Sequence, residues 1–225
     1  METGIKAFVF DLDGVLANTA EYHYRAWKRL ADEEGIPFSR EDNEALRGVS
    51  RRDSLLLLLH GRQLPEAEME ELMERKNTYY LAALDGLSPR DLLPGAESFL
   101  SGLRAEGVKI GLASSSRNAR RVVALLGLEP LLDAIVDGNE VAQAKPAPDL
   151  FLRAAELLSV PPAECVVVED AAAGVEAAHR GGFLAVGIGE SERLKGADLV
   201  LPDLAAATPR EVIGRLAKLS HLDYS

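Results

Sequence analysis

The sequence predicts an α/β fold: an open parallel sheet flanked by helices and interrupted once by a helical insertion. Three observations lead there. Short apolar runs, several of them ending in polar or turn residues, recur along the chain. Between most of them lie stretches with apolar residues at helical spacing. The alternation lapses only over residues 18–87, where helical patterns follow one another without a strand pattern. Apolar runs rich in valine and isoleucine, bounded by turn residues, read as strands buried on both faces of a parallel sheet. Strands that alternate with helices imply right-handed crossovers within one sheet.

The elements follow in order. The run Ala7-Phe8-Val9-Phe10 stops at Asp11 and is the first strand. The insertion comes next, with helices expected over 19–34, 51–60 and 66–84. The strand-and-helix pattern resumes beyond Pro94-Gly95. A helix over 96–105 carries Phe99, Leu100 and Leu103 on one face. Strands are expected over 108–113, 134–136, 166–168, 184–186 and 199–201, and further helices over 118–126, 149–158 and 171–179. The core then comprises residues 1–17 and 88–225, and the insertion 18–87, with hinges at 15–18 and 87–94.

Apolar residues make up 47% of the 225 residues, which excludes wholesale disorder and supplies a sizeable core. Lys and Arg number 25 against 36 Asp and Glu, a net charge of −11. Nucleic acid and acidic membrane surfaces are polyanions, so neither is an expected partner. A local pocket for small anions is compatible with that balance. Cys165, the one cysteine, can form no internal disulfide. Beside Val166-Val167-Val168 it reads as a buried, inert thiol in a reducing compartment. No run approaches the ~20 apolar residues that cross a bilayer, and the N-terminus does not read as a signal peptide. A soluble, cytoplasmic monomer is expected.

In open α/β sheets, ligands sit beyond the carboxyl ends of the strands. That rule brings Asp11, Asp13, Ser114, Glu169 and Asp170 to one edge, although they are far apart in sequence. Asp11-Leu12-Asp13-Gly14 leaves the first strand with two carboxylates, and Gly14 permits the chain to curl. One carboxylate can attack an electrophile and the other can carry a proton. Four crowded carboxylates repel unless a cation sits among them, and such oxygen ligands suit Mg²⁺. Taken singly, Asp11-x-Asp13-Gly14 is also a plain turn and Glu169-Asp170 a plain N-cap pair. Their shared placement at strand ends favours a site.

Ser114-Ser115-Ser116-Arg117-Asn118 is expected to open a helix, where free N–H groups, hydroxyls and a guanidinium can receive an anion. A serine-rich N-cap is the plainer alternative. Lys145, before Pro146, can neutralise a phosphate and a carboxylate, or simply be solvated. His23, near a helix start, reads by spacing alone as structural. His60, His179 and His221 read as surface residues, and Trp27 as insertion core or pocket wall. No P-loop, dinucleotide fingerprint or zinc-ligand spacing occurs.

In that order, Asp11-Leu12-Asp13-Gly14-Val15-Leu16, Ser114, Lys145-Pro146 and Glu169-Asp170 resemble the four motifs of the haloacid dehalogenase-like superfamily. The resemblance runs from Lys6 to Asp203. It implies a Rossmann-like parallel-sheet core with the insertion as an α-helical cap domain. Dehalogenases and phosphonatases of the superfamily lack an aspartate at the position of Asp13, so its presence implies phosphoryl transfer to or from oxygen. The cap is similar to that of the β-phosphoglucomutase family. The stretch Thr19 to Trp27 resembles its hinge and first cap helix, Leu46 to Leu55 its specificity loop, and Gly111 to Asn118 its phosphate loop. Lys76-Asn77 also fits. Arg47 and Arg117 stand where that family often has lysine, which keeps the charge but makes it a planar fork. Ser115 stands where alanine is common, a change expected to be silent if its backbone N–H does the binding.

The resemblance implies roles. Asp11 is the nucleophile and Asp13 the general acid/base, with Ser114, the Ser115 N–H and Lys145 around the transferring phosphoryl group. Asp11, Glu169, Asp170 and the main-chain carbonyl of Asp13 are expected to hold Mg²⁺. Thr19, His23 and Lys76 are expected to place Asp13 when the cap closes. Arg47, Gly48, Val49 and Ser50 line the substrate, and Arg51, Ser116, Arg117 and Asn118 hold a second phosphate. The implied reaction interconverts β-D-glucose 1-phosphate and glucose 6-phosphate, with glucose 1,6-bisphosphate as activator. A sugar-phosphate phosphatase of the same fold is the alternative. A non-enzymatic binding module is disfavoured because both Asp11 and Asp13 are kept.

Overall fold

The computed structural model describes residues 4–220. Six strands form one sheet: β1 (Ala7–Phe10), β2 (Lys109–Ala113), β3 (Ala134–Val136), β4 (Cys165–Glu169), β5 (Leu184–Ile188) and β6 (Leu199–Leu201). All pairings are parallel, in the order β3-β2-β1-β4-β5-β6. Every expected strand is present, extended by a residue or two at β4 and β5. Phe10 at the end of β1 lies opposite Leu112 on one side and Val168 on the other. The chain builds outward from β1 to β3, then returns to β1's other side for β4. Strand order therefore reverses at β1 and β4, where open sheets place their ligands.

Alternating side chains divide the sheet into two buried faces. Phe8, Phe10, Ile110, Leu112, Val166 and Val168 face one cluster. Against them pack α5 (Ala96–Ala105), α6 (Ala119–Leu125) and α9 (Pro209–Ser220), through residues such as Phe99, Val122 and Val212. Ala7, Val9, Cys165 and Val167 face the other cluster. There Phe151 and Ala154 of α7 (Asp149–Leu158) and Val175 and Ala178 of α8 (Ala172–Arg180) close the layer. Cys165 is fully buried, and burial raises its thiol to about 12, so it is inert as expected.

The insertion holds α1 (Ala20–Glu33), α2 (Arg40–Glu44), α3 (Arg51–Leu58) and α4 (Glu66–Ala83). It has its own core of Trp27, Leu30, Phe38, Leu55, Leu58, Met69 and Leu72. Helix α2 was not anticipated, because Arg40-Glu41-Asp42-Asn43-Glu44 has no apolar period. A capping box between Ser39 and Asp42 starts it instead. Helix α9 was also unassigned. Its signal was present in Thr208-Pro209-Arg210-Glu211, where Thr208 and Glu211 exchange capping bonds. The two connections to the insertion run side by side: Asn18 N–H donates to the Asp91 carbonyl at 3.1 Å and Leu93 N–H to the Leu16 carbonyl at 2.9 Å.

Candidate active site

The site lies at the carboxyl ends of β1, β2 and β4, beneath the insertion. Asp11 directly follows β1, and its N–H donates to the Val168 carbonyl at 2.9 Å, which ties it to β4. Lys145, fully buried, donates to Asp11 Oδ1 at 2.6 Å and to Glu169 Oε1 at 2.5 Å. Burial alone would lower the Lys145 ammonium, but Asp11 and Glu169 raise it above its ordinary value. It is a fixed cation. The other Glu169 oxygen accepts the Ala171 N–H at 2.8 Å.

Asp13 sits one turn further on. Thr19 Oγ1 donates to Asp13 Oδ1. Thr19 stands at the N-cap of α1, yet its hydroxyl makes no capping bond and is spent on Asp13 instead. His23 Nε2 lies 3.7 Å from the same oxygen, and His23 Nδ1 is 2.8 Å from Lys76 Nζ. A charged amine can only donate, so Nδ1 then accepts and Nε2 carries the proton that faces Asp13. Burial, Lys76 and Arg51 hold the imidazole well below its ordinary value, so it is neutral. Burial raises Asp13, and the Thr19 bond opposes that rise. A carboxyl that gains and loses a proton readily suits an acid/base role.

Asp11 is raised well above the carboxylate range by burial, against the pull of Lys145, with Glu169, Asp13 and Asp170 adding to the rise. Asp170 is raised to about 6 by burial and Glu169, although Arg47 Nη1 donates to its Oδ2 at 2.7 Å. Four carboxylates therefore share an edge, and among the described residues the charged side chains paired to them are Lys145 and Arg47, with the neutral His23 beside Asp13. That excess of negative charge fits a hard cation. Among the described residues no three His, Cys, Asp or Glu side chains form a ready metal cluster. Asp11, Glu169, Asp170 and the Asp13 carbonyl are the oxygen groups at this edge, and of them only Glu169 has both side-chain oxygens on donors among the described residues. Mg²⁺ is typically held by one or two carboxylates with water and substrate phosphate completing its shell.

Ser114 to Asn118 leads from β2 into α6, which begins at Ala119 with Asn118 at its N-cap, within a residue of the helix expected over 118–126. Ser116 N–H donates to Ser114 Oγ at 3.1 Å, and Asn118 N–H to Ser116 Oγ at 3.2 Å. The Ser115 and Arg117 N–H groups bond to no described group and are available as donors. Ser115 is not silent: its hydroxyl donates to the Gly48 carbonyl at 3.0 Å, across to the insertion.

One cavity joins these parts. Asp11, Asp13 and Asp170 line its floor, and Ser115, Ser116, Arg117 and Asn118 its core side. His23, Arg47, Gly48, Val49, Arg51 and Lys76 line its insertion side. Ser114, Thr19, Lys145 and Glu169 stand behind the wall, buried. Ser50 does not line it. Its hydroxyl caps α3, accepting the Asp53 N–H at 3.1 Å. Leu46 and Ser54 of the specificity loop also line the cavity, as does Asn43, which had not been singled out. Asn43 lies on the unpredicted α2; Ser54 is a buried polar residue one turn after Ser50. Trp27 is both insertion core and cavity wall. His60 is exposed, His179 is exposed beside Asp198, and His221 lies outside the described residues.

Comparison with known proteins agrees with this geometry. The haloacid dehalogenase-like hydrolase family model matches residues 5–182. A β-phosphoglucomutase of Bacillus subtilis is 48% identical over 201 residues, covering 88% of this chain and 89% of its own. The crystal structure of a β-phosphoglucomutase from Clostridium difficile superposes with a TM-score of 0.93 at 38% identity, covering 96% of this chain and 99% of that one. A phosphorylated carbohydrates phosphatase of Thermotoga maritima is 29% identical over 218 residues, covering 96% of this chain and 100% of its own.

Proposed function

The chain belongs to the haloacid dehalogenase-like hydrolases, and within that family we propose that it interconverts β-D-glucose 1-phosphate and glucose 6-phosphate, as its β-phosphoglucomutase relatives are named for doing. One observation carries the reading. The cavity has a nucleophile and proton carrier at one end and, at the other, the guanidiniums of Arg51 and Arg117, which have no carboxylate partner among the described residues. A phosphatase needs only the first end; a mutase must hold a phosphate at each.

The steps follow from the residues. Asp11 carries the phosphoryl group as an aspartyl phosphate, primed by glucose 1,6-bisphosphate. The sugar's 6-hydroxyl attacks phosphorus, its proton passes to Asp13, and the bond to Asp11 breaks. The bisphosphate turns end for end. Asp11 then attacks the phosphorus at C1, and Asp13 returns the proton to the leaving oxygen. Thr19 and His23 hold Asp13 in place. Lys145, Ser114 and the Ser115 N–H receive the transferring oxygens, the electrostatic share of such catalysis. Asp11, Asp170 and the Asp13 carbonyl would hold Mg²⁺, which supplies charge neutralisation for the phosphoryl group. Glu169 acts through Lys145.

Residues 18–87 serve as the cap domain over a core of 1–17 and 88–225. The lone, buried Cys165 supports a cytoplasmic setting. A coupled assay tests the function: supply Mg²⁺, β-glucose 1-phosphate and a trace of glucose 1,6-bisphosphate, and follow glucose 6-phosphate and inorganic phosphate together. Glucose 6-phosphate with little free phosphate is expected. Stoichiometric phosphate without glucose 6-phosphate would show a phosphatase instead.

A further inference from the structure

We propose that Asn77 is a positioning residue that aims Arg51 and Asn118 at the far end of the cavity while leaving their charge unneutralised. The proposal rests on the mutase reading above. Asn77 lies on α4, next to Lys76, and is half-buried. Its Oδ1 accepts two hydrogen bonds of 2.9 Å, from Arg51 Nη2 on α3 and from Asn118 Nδ2 after β2. Chemistry fixes the amide orientation. A guanidinium only donates, so the Asn77 atom that faces it is oxygen, and Asn118 must then present its nitrogen. Two segments of the insertion and one of the core thus meet on one neutral oxygen.

Neutrality is the point. Among the described residues neither Arg51 nor Arg117 forms an ion pair. Arg51 is held below its ordinary value by burial first and by Arg117 second, so the two charges feel each other. Glu74, one turn earlier on α4, is felt by Arg51 but forms no ion pair with it. An aspartate at position 77 would have nearly the same shape. It would pair with Arg51 and supply a built-in anion where the substrate's own phosphate is to bind. An alanine would leave Arg51 and Asn118 without their anchor.

The test compares wild type, Asn77→Asp and Asn77→Ala in Mg²⁺ buffer on two reactions. Conversion of β-glucose 1-phosphate needs the far end for the substrate's own phosphate. Hydrolysis of acetyl phosphate, which carries one phosphoryl group, leaves the far end unused. Asn77→Asp is expected to raise KM for β-glucose 1-phosphate at least about tenfold, and Asn77→Ala by a smaller factor. Acetyl phosphate hydrolysis should stay within about twofold of wild type in both, as a contact made only at the far end requires. An unchanged KM in Asn77→Asp, or equal losses in both reactions, overturns the assignment. If the aspartate variant does not fold, the alanine variant decides, and an unchanged KM there overturns it equally. Wild-type protein that hydrolyses acetyl phosphate but makes no glucose 6-phosphate instead overturns the mutase reading beneath it.

Discussion

Lys76 and Lys145 are both buried amines, and their surroundings drive them in opposite directions. Lys145 has two carboxylates within hydrogen-bond distance and stays charged. Lys76 has a neutral imidazole and the rings of Trp27 and Tyr80 about it, each 4.9 Å from the amine. Burial and Arg51 lower it from 10.5 to about 7, against Asp13. Below that value both folded and unfolded chains carry the charge, and the folded state bears the full penalty of burying it. Between about 7 and 10.5 the unfolded chain binds the extra proton, so stability rises with pH across that window. Lys76→Met should therefore stabilise the substrate-free protein at pH 6, by on the order of a few kcal/mol, and progressively less toward pH 10. Thermal midpoints of both proteins at pH 6, 8 and 10 check this; a difference that does not change with pH would sink it. Neither lysine's state was legible in the sequence. Lys145 was recognisable from Pro146 and its motif, but the neighbours that set its charge stand 24 and 134 residues away in the chain.

At the scale of elements, the strands were legible and helix α2 was not, for one physical reason. Ala7-Phe8-Val9-Phe10 and Cys165-Val166-Val167-Val168 are buried on both faces, so their burial is written locally as unbroken apolar runs. Helix α2 buries none of its residues and left no such trace. The start of α8 shows a further kind of information that no local pattern carries. A Cβ on Gly174 would collide with the Glu169 carboxylate, so the helix can approach the strand end only because that side chain is missing. Glu169 is thereby held with one oxygen on the Ala171 N–H and the other on Lys145. Gly174→Ala must displace Glu169 and release one of the two carboxylates that fix Lys145. Turnover should fall at least about tenfold, since a preorganised cation near the reacting group is worth that much or more. Measured kcat within twofold of wild type, in a protein that still folds, would refute the role given to this helix start.

Across the whole molecule, the insertion meets the core along a seam that changes character from one end to the other. Near the linkers it is apolar: Tyr80, Leu84 and Leu87 join the cluster built on Leu16 and Phe99. Toward the mouth it is polar. Ser115 donates to the Gly48 carbonyl, Arg47 pairs with Asp170, Asn118 donates to Asn77, and Arg193 pairs with Glu44 at 3.0 Å. Water can replace each of these mouth contacts, whereas it cannot replace the apolar ones without cost. Opening about the paired linkers would break the first kind and spare the second. The Ser115 hydroxyl contact carries no charge, touches none of Asp11, Asp13 or Asp170 and, unlike the Asn118–Asn77 bond, involves no side chain assigned to the second phosphate, so its removal isolates closure from chemistry. Ser115→Ala should favour the open form by about 0.5–1.5 kcal/mol, up to roughly a tenfold change in the open-to-closed ratio. Small-angle X-ray scattering of the substrate-free protein in Mg²⁺ at low salt should show a larger radius of gyration for the variant. The same variant should lose more phosphoryl groups to water per glucose 6-phosphate formed, because a cavity that opens more often admits water. An unchanged radius together with an unchanged partition between water and sugar would mean that closure depends on the bound substrate alone, not on contacts built into the free protein.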